Sequence, residues 1–393
     1  MERFIYEPRE DSFLMADQVK KFATGKVLDI GCGSGFLTDA AASLKRVKKV
    51  IAVDINPHAL RYVKNKDKKK LTFRNKIVVQ KSDLFSNVKD KFDTIIFNPP
   101  YLPEDKREPE DWCKKAVCGG KNGWEIVERF LDQLPEHLDK NGKVLLLFSS
   151  LTDKKKVEEL IDDRLFEYKR IGTKKLDFER LYVYLLKKTK LLQELEKKKL
   201  KNIKKLAKGW RGIVYEAKLG KKKVAVKVQK QAGGQNRIRH EVNMLKILNK
   251  KKIGPRLLFS DTNYFAMEFV HGQRIWDYVK THEKTQIKKV LKEILRQCHV
   301  MDKMKINKEE MHHPIKHIII NDGIKMIDFE RCRKTLNPKN VTQFCQFMTS
   351  TNFLVVLRNK GFAPNADKIR RLAKLYKSSM IDRNLEKIYK EIK

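Results

Sequence analysis

Four short apolar runs constrain the fold of this chain more than anything else in it: KVLDIG at 26–31, KVIAVD at 49–54, FDTIIFN at 92–98 and KVLLLF at 143–148. Each has the length and aliphatic content of a strand, and near-continuous apolar runs of this kind are buried on both faces. Residues 36–44 and 125–138 lie between them with helical spacing. Strands alternating with helices need the crossover connections of a parallel sheet. The expected fold class is therefore α/β, a doubly wound Rossmann-like sheet, with LYVYLLKK at 181–188 as a late strand.

A chain of 393 residues exceeds what one core usually organises, about 250–300 residues, so two domains are expected. The first covers 1–188. A lysine-dense stretch, 189–206, reads as an exposed linker or a helix. From Ala207 the pattern turns to glycine turns, short β runs and helices, which reads as a small α+β domain over 207–393. Lys and Arg number 88 against 49 for Asp and Glu, a net charge of +39. That excess points to a polyanionic partner such as RNA or the ribosome, or else to a solvated lysine-rich surface. The charged first residues offer no signal peptide, and no run approaches the roughly 18–20 apolar residues of a membrane helix. Six scattered cysteines read as reduced thiols. A soluble cytoplasmic chain without a membrane partner is expected.

The first run closes on Asp29-Ile30-Gly31-Cys32-Gly33-Ser34-Gly35. Glycines after a strand let the backbone turn tightly and approach a bound nucleoside. Alone the loop suits dinucleotide binding nearly as well, although its third glycine arrives one residue earlier than in GxGxxG. Asp54 ends the next strand, where a carboxylate can take two ribose hydroxyls, and Asp83 follows a third, placed to accept from an adenine amine.

Asn98-Pro99-Pro100-Tyr101 follows the strand FDTIIF and so emerges at the ligand-binding edge of such a sheet. The nitrogen of an amide or a nucleobase amine is a poor nucleophile because its lone pair is delocalised. The Asn98 side-chain oxygen and the Pro99 carbonyl can each take one N–H and turn that lone pair toward a sulfonium methyl. Catalysis is then mostly positioning. Tyr101 offers a flat face to a planar target. Trp112 and Trp124 read as lid or core residues more readily than as a substrate groove.

On YEPREDSF at 6–13, VLDIGCGSG at 27–35, FNPPYLP at 97–103 and AVCGGKNGWEIVERFL at 116–131, residues 1–188 resemble the HemK-type class I methyltransferases. They are most similar to the short branch that methylates the GGQ glutamine of eukaryotic and archaeal class-1 release factors. The resemblance implies S-adenosylmethionine contacts at Ser12, Asp29, Gly31, Gly33, Asp54, Asp83, Leu84 and Asn98. It implies a grip on the substrate amide by Asn98, Pro99, Pro100 and Tyr101. It also implies a release factor as substrate and a small zinc-binding activator subunit as partner. The rival reading is a methyltransferase acting on RNA or DNA amino groups, since NPPY serves those as well.

In the second half, Gly209 and Gly212 mark a glycine loop, VAVK carries Lys227, and Glu241 lies fourteen residues on, placed to pair with it. DFE at 328–330 matches a metal-binding DFG triplet with its glycine replaced. KEE at 308–310 stands for HRD, which makes Glu310 the candidate base, and His317 falls at the metal-binding asparagine. The segment resembles an archaeal group of RIO-like minimal serine/threonine kinases. The resemblance implies ATP with Mg or Mn held by Asp328 and His317. An active kinase, an ATP-binding module and a ribosome- or RNA-docking domain stay open. His312, His313 and His317 lack the second ligand set of a zinc site. Gly233-Gly234-Gln235 reads as a turn, with self-methylation at Gln235 as the sharper alternative.

Overall fold

The computed structural model describes residues 4–66, 73–105, 107, 111–210, 212–230 and 237–392. Gly233, Gly234 and Gln235 lie outside the described residues. The chain forms two compact units, 1–205 with 217–221, and 206–216 with 222–393.

In the first unit, α1 (Glu10–Phe22) precedes β1 (Gly25–Ile30), followed by α2 (Phe36–Ala42), β2 (Val47–Asp54), α3 (Pro57–Asn65), β3 (Ile77–Lys81) and β4 (Phe92–Phe97). Then come α4 (Trp112–Val117), α5 (Glu125–His137), β5 (Leu138–Ser149), α6 (Lys154–Asp163), β6 (Phe166–Lys175) and β7 (Arg180–Lys188). The seven strands run in the order β3-β2-β1-β4-β5-β7-β6. The first five are parallel, β7 runs antiparallel to β5, and β6 runs antiparallel to β7. Strand order reverses between β1 and β4, the switch point at which doubly wound sheets bind ligands. Val27, Ile96 and Leu145 are buried with Met15 and Val19 of α1, and the rings of Phe97 and Phe130 meet at 4.4 Å, Phe130 coming from α5.

Two expectations need correction. The sheet is mixed, because β6, FEYKRIGTKK, was not anticipated. It is an edge strand, mostly exposed, and lacks an apolar run. Residues 176–179 turn the chain straight back into β7, and so short a connection can only join antiparallel strands. Of the two readings of 189–206, linker or helix, the helical one holds for its first half, and the stretch is not exposed throughout. It folds as α7 (Lys190–Lys197) and then enters β8 (Leu200–Lys208). Leu192, Leu195, Leu200 and Ile203 are buried, each contributing about 1.5–3 kcal/mol. The ion pairs Lys201–Glu136 at 2.6 Å and Lys204–Glu128 at 3.0 Å lie at the surface and contribute about 0–1 kcal/mol each. Apolar packing therefore holds this segment down.

The second unit carries the five-stranded sheet β11-β12-β10-β9-β8, with β9 (Gly212–Leu219), β10 (Lys222–Gln229), β11 (Leu257–Ser260) and β12 (Tyr264–Glu268). Strand β8 spans the division between the units, and α8 (Arg237–Asn249) follows β10. The remainder is mainly helical, with an antiparallel pair at Ile318–Ile320 and Ile324–Met326. No described helix is long and apolar enough to cross a membrane.

Lys188, at the end of β7, is fully buried. Its ammonium donates to Glu196 at 2.6 Å and to the Pro135 carbonyl at 2.7 Å. Lys188→Ala leaves both acceptors without their cation and should lower stability by about 2–3 kcal/mol. Denaturant unfolding measures this, and a change below about 0.5 kcal/mol, the scale of an inert surface substitution, would contradict it.

Candidate active site

The carboxyl ends of β1 to β4 open onto one cavity of about 380 Å³. Gly31 and Gly33 follow β1, Asp54 ends β2, Asp83 and Leu84 follow β3, and Asn98 to Tyr101 follow β4. All of them line the cavity, as does Ser12 from the start of α1. Asp29 does not. It is buried within β1, and its carboxylate accepts the Thr38 hydroxyl at 2.5 Å. Its contact is with α2, beneath the glycine loop.

Gly31 and Gly33 have φ of +69° and +51°. A Cβ at Gly31 would meet no atom within 4 Å, so a side chain there would project into free space. This backbone suits the close approach of a ligand. Asp54 is fixed by the N–H groups of Gly33 at 2.9 Å and Asn56 at 2.8 Å. Burial raises its pKa, and those two bonds oppose the rise. Leu84 is a buried non-glycine residue at φ +49°, a conformation that costs energy and concentrates at binding sites. Asp83 is half-exposed and already pairs with Arg129 at 2.7 Å.

The Asn98 amide is oriented by Asp11. Asn98 Nδ2 donates to Asp11 Oδ2 at 2.8 Å, and among the described residues no donor reaches its buried Oδ1. An ionised carboxylate only accepts, so the NH₂ group must face it and the oxygen must face away. Tyr6 and Ser12 hydroxyls also donate to Asp11, at 3.2 and 3.3 Å. Sequence reasoning missed Asp11 and Tyr6 as site residues, although both lie in the stretch YEPREDSF. Burial, then the Asp11 charge, pushes the Tyr101 phenol up, so it stays neutral.

The glycine-rich segment explains itself by contact with this loop. A Cβ at Gly119 would stand 2.7 Å from the Pro100 carbonyl oxygen, and one at Gly123, whose φ is +85°, 2.5 Å from that of Tyr101. Thr152 Oγ1 donates to the same Tyr101 carbonyl at 3.0 Å. Trp112 stands on the cavity wall, whereas Trp124 stands off it with the Lys156 ammonium 4.9 Å from its ring.

In the second unit the structure brings Lys227 of β10, Glu241 of α8 and Asp328 together. The Lys227 ammonium lies 2.8 Å from both carboxylates and 3.4 Å from Glu330. Burial alone would lower the pKa of Lys227, but Glu241 and Asp328 outweigh it and raise it. Glu330 was noted in sequence only as a replaced glycine. It is drawn in because Asp328, at φ +64°, turns the chain there. Glu241 sits inside α8. A Cβ at Gly212 would come within 2.9 Å of the Val228 carbonyl, and Gly209 N–H donates to the Gly212 carbonyl at 2.9 Å. Glu310 is buried against the equally buried Lys308 at 3.1 Å, which also donates to the Asp328 carbonyl. The expected base is therefore already engaged. His317 Nδ1 lies 3.9 Å from Asp328 Oδ2, and burial and then Lys308 hold its pKa down, which favours the neutral, ligating imidazole. His312 and His313 are not part of the carboxylate cluster Glu241, Asp328 and Glu330.

The methyltransferase small domain family matches residues 10–178. The chain is 42% identical over 180 residues to a Methanocaldococcus jannaschii protein named as a candidate protein N5-glutamine methyltransferase, covering 46% of this chain and 89% of that one. It is 35% identical over 155 residues to the release factor glutamine methyltransferase of Borreliella burgdorferi, covering 37% of this chain and 54% of that relative. It is also similar to the solved E. cuniculi Mtq2–Trm112 complex, described as responsible for methylating the eRF1 termination factor. That likeness has 24% identity and a TM-score of 0.38, over 47% of this chain and 99% of the other.

The Asp29 carboxyl is pushed up to about 7, chiefly by burial, partly offset by Thr38 and reinforced by Asp54 and Asp39. Between the ordinary 3.8 and about 7 the folded chain holds a proton that the unfolded chain has lost. Stability should therefore fall as pH rises through that window and level off above it. Asp29→Asn should remove the slope. Denaturant unfolding at about pH 5 and about pH 7.5 tests this, and equal pH slopes in the two proteins would contradict it.

Proposed function

Through its first unit the chain belongs to the HemK-type protein-glutamine methyltransferases, and we propose that it methylates the side-chain amide nitrogen of the GGQ glutamine in a class-1 translation release factor. The observation that carries this reading is the Asn98 amide. Its nitrogen is tied to Asp11, and among the described residues no donor reaches its buried oxygen, in a residue that lines the cavity. Asn98 Oδ1 takes one N–H of the substrate amide and the Pro99 carbonyl takes the other. Held by both, the nitrogen loses conjugation with its carbonyl and presents a lone pair. S-adenosylmethionine, when bound, supplies an electrophilic sulfonium methyl. Gly31, Gly33, Asp54, Asp83, Leu84 and Ser12 are the residues that would hold it. Tyr101, kept neutral, gives the planar amide a flat wall. Orientation of this kind supplies a large part of a barrier reduction without a strong base. The resemblance to the short branch extends the proposal to a small zinc-binding activator subunit, added to the assay as a separate chain.

Asn98→Ala should lower turnover on a release factor by about a hundredfold or more while cofactor binding survives. Asp11→Asn should lower it by about tenfold, because an amide at position 11 can donate as well as accept and no longer dictates which way Asn98 faces. Radiolabel transfer and calorimetric cofactor titration measure both. Wild-type turnover in Asn98→Ala would refute the reading.

For the second unit we propose ATP binding. The supporting observation is the buried Lys227, placed by Glu241 and Asp328 where an ammonium can meet phosphates. The oxygen donors of Asp328, Glu241 and Glu330 suit Mg or Mn, and His317 stands beside Asp328. Lys227→Ala should weaken ATP binding about tenfold or more, as loss of a charged contact does. Unchanged affinity in that variant would remove the proposal.

A further inference from the structure

One acid of the cavity has no task in the methyl-transfer reading. Glu179 lines the cavity beside Tyr101 and Leu176, and among the described residues no donor reaches its buried Oε2. A buried carboxylate oxygen without a donor is unfavourable, and a ligand that supplies one relieves it.

The position of Glu179 is fixed by hydrogen bonds. Leu176 N–H donates to the Glu179 carbonyl at 2.8 Å and closes the hairpin between β6 and β7. Arg180 N–H donates to Ser150 Oγ at 3.0 Å, and two residues on Thr152 Oγ1 donates to the Tyr101 carbonyl at 3.0 Å. The single turn Ser150–Thr152 thus fastens both the hairpin that carries Glu179 and the loop that carries Asn98 and Tyr101. Glu179 is therefore on the amide side of the cavity, not the side of Gly33, Asp54 and Leu84. At the hairpin tip beside it, Phe178 is 95% exposed.

We propose that Glu179 is a substrate-recognition residue whose carboxylate takes backbone N–H groups of the polypeptide flanking the methylated amide, with Phe178 packing on the same partner. The inference rests on the protein-substrate reading and extends it. Two glycines before the target glutamine carry no side chains to shield their N–H groups, so an acceptor-only group lining the same cavity as Asn98 suits such a loop. A phosphodiester brings only acceptors and negative charge: among the cavity-lining residues Arg9 and Lys115 attract it, but it offers Glu179, Asp11 and Glu10 no donor.

The test measures methyl transfer to a purified class-1 release factor by the full chain, by Glu179→Gln and by Glu179→Ala, with cofactor affinity measured alongside. Loss of a hydrogen bond to a charged group should lower kcat/KM about tenfold in Glu179→Gln and about thirty- to a hundredfold in Glu179→Ala. The loss should fall mainly on KM, with cofactor Kd unchanged within about twofold. An active wild type matched by both variants overturns the assignment of Glu179 alone. Parallel losses in cofactor affinity and turnover would mark a structural role and overturn it too. A wild type that labels RNA and not the release factor overturns the substrate reading, and this inference with it.

Discussion

A carboxylate and an amide 87 residues apart in the chain meet at 2.8 Å, and the chemistry proposed for the first unit depends on that contact. Asn98 alone could present either its oxygen or its NH₂ group to the cavity. Asp11 removes the choice, because an ionised carboxylate can only accept. For the contact to exist, α1 must begin at the carboxyl edge of the sheet, where β4 ends. The burial of Met15 and Val19 against Val27, Ile96 and Leu145 secures that placement. Gly119 and Gly123 secure the other side of the loop, where backbone meets backbone too closely for a side chain. The orientation of the Asn98 amide is thus a consequence of packing from both sides of the loop.

What could be read in the sequence was local. Glycines after one strand, acids after two more and NPPY after a fourth each announce themselves by following an apolar run, and the parallel sheet gathers such positions at one edge. Asp29 has the same local signature, yet its side chain meets Thr38 of α2 and does not line the cavity. Asp11 and Glu179 were not legible as parts of one site. Each is an acid in a charged stretch, and only the fold brings both to the cavity wall. Strand β6 escaped for a related reason: an edge strand with most residues in water has no apolar signature. The lysines of 189–206 suggested a solvated linker, whereas four interspersed aliphatic residues decide its packing.

The second unit shows the same division. Lys227 and Glu241 were paired from spacing alone, and they meet. The role of Lys308 was not visible, because lysine in a polar triplet reads as surface, while here it is fully buried against Glu310 and the Asp328 carbonyl. Two buried ammonium groups and four carboxylates compensate one another around Asp328. Groups so arranged lose much of their desolvation cost only while every partner stays in place. This interdependence couples the glycine-loop strand pair, α8 and the segment at 328–330 within the unit.

The most direct measurement offers the full chain, the proposed activator subunit and labelled S-adenosylmethionine a class-1 release factor and total RNA in one reaction, and then maps the label by mass spectrometry. The account expects a methyl group on the amide of the GGQ glutamine, and no label on the factor once that glutamine is replaced. Label on RNA alone, or label that persists on the factor after the replacement, would contradict it.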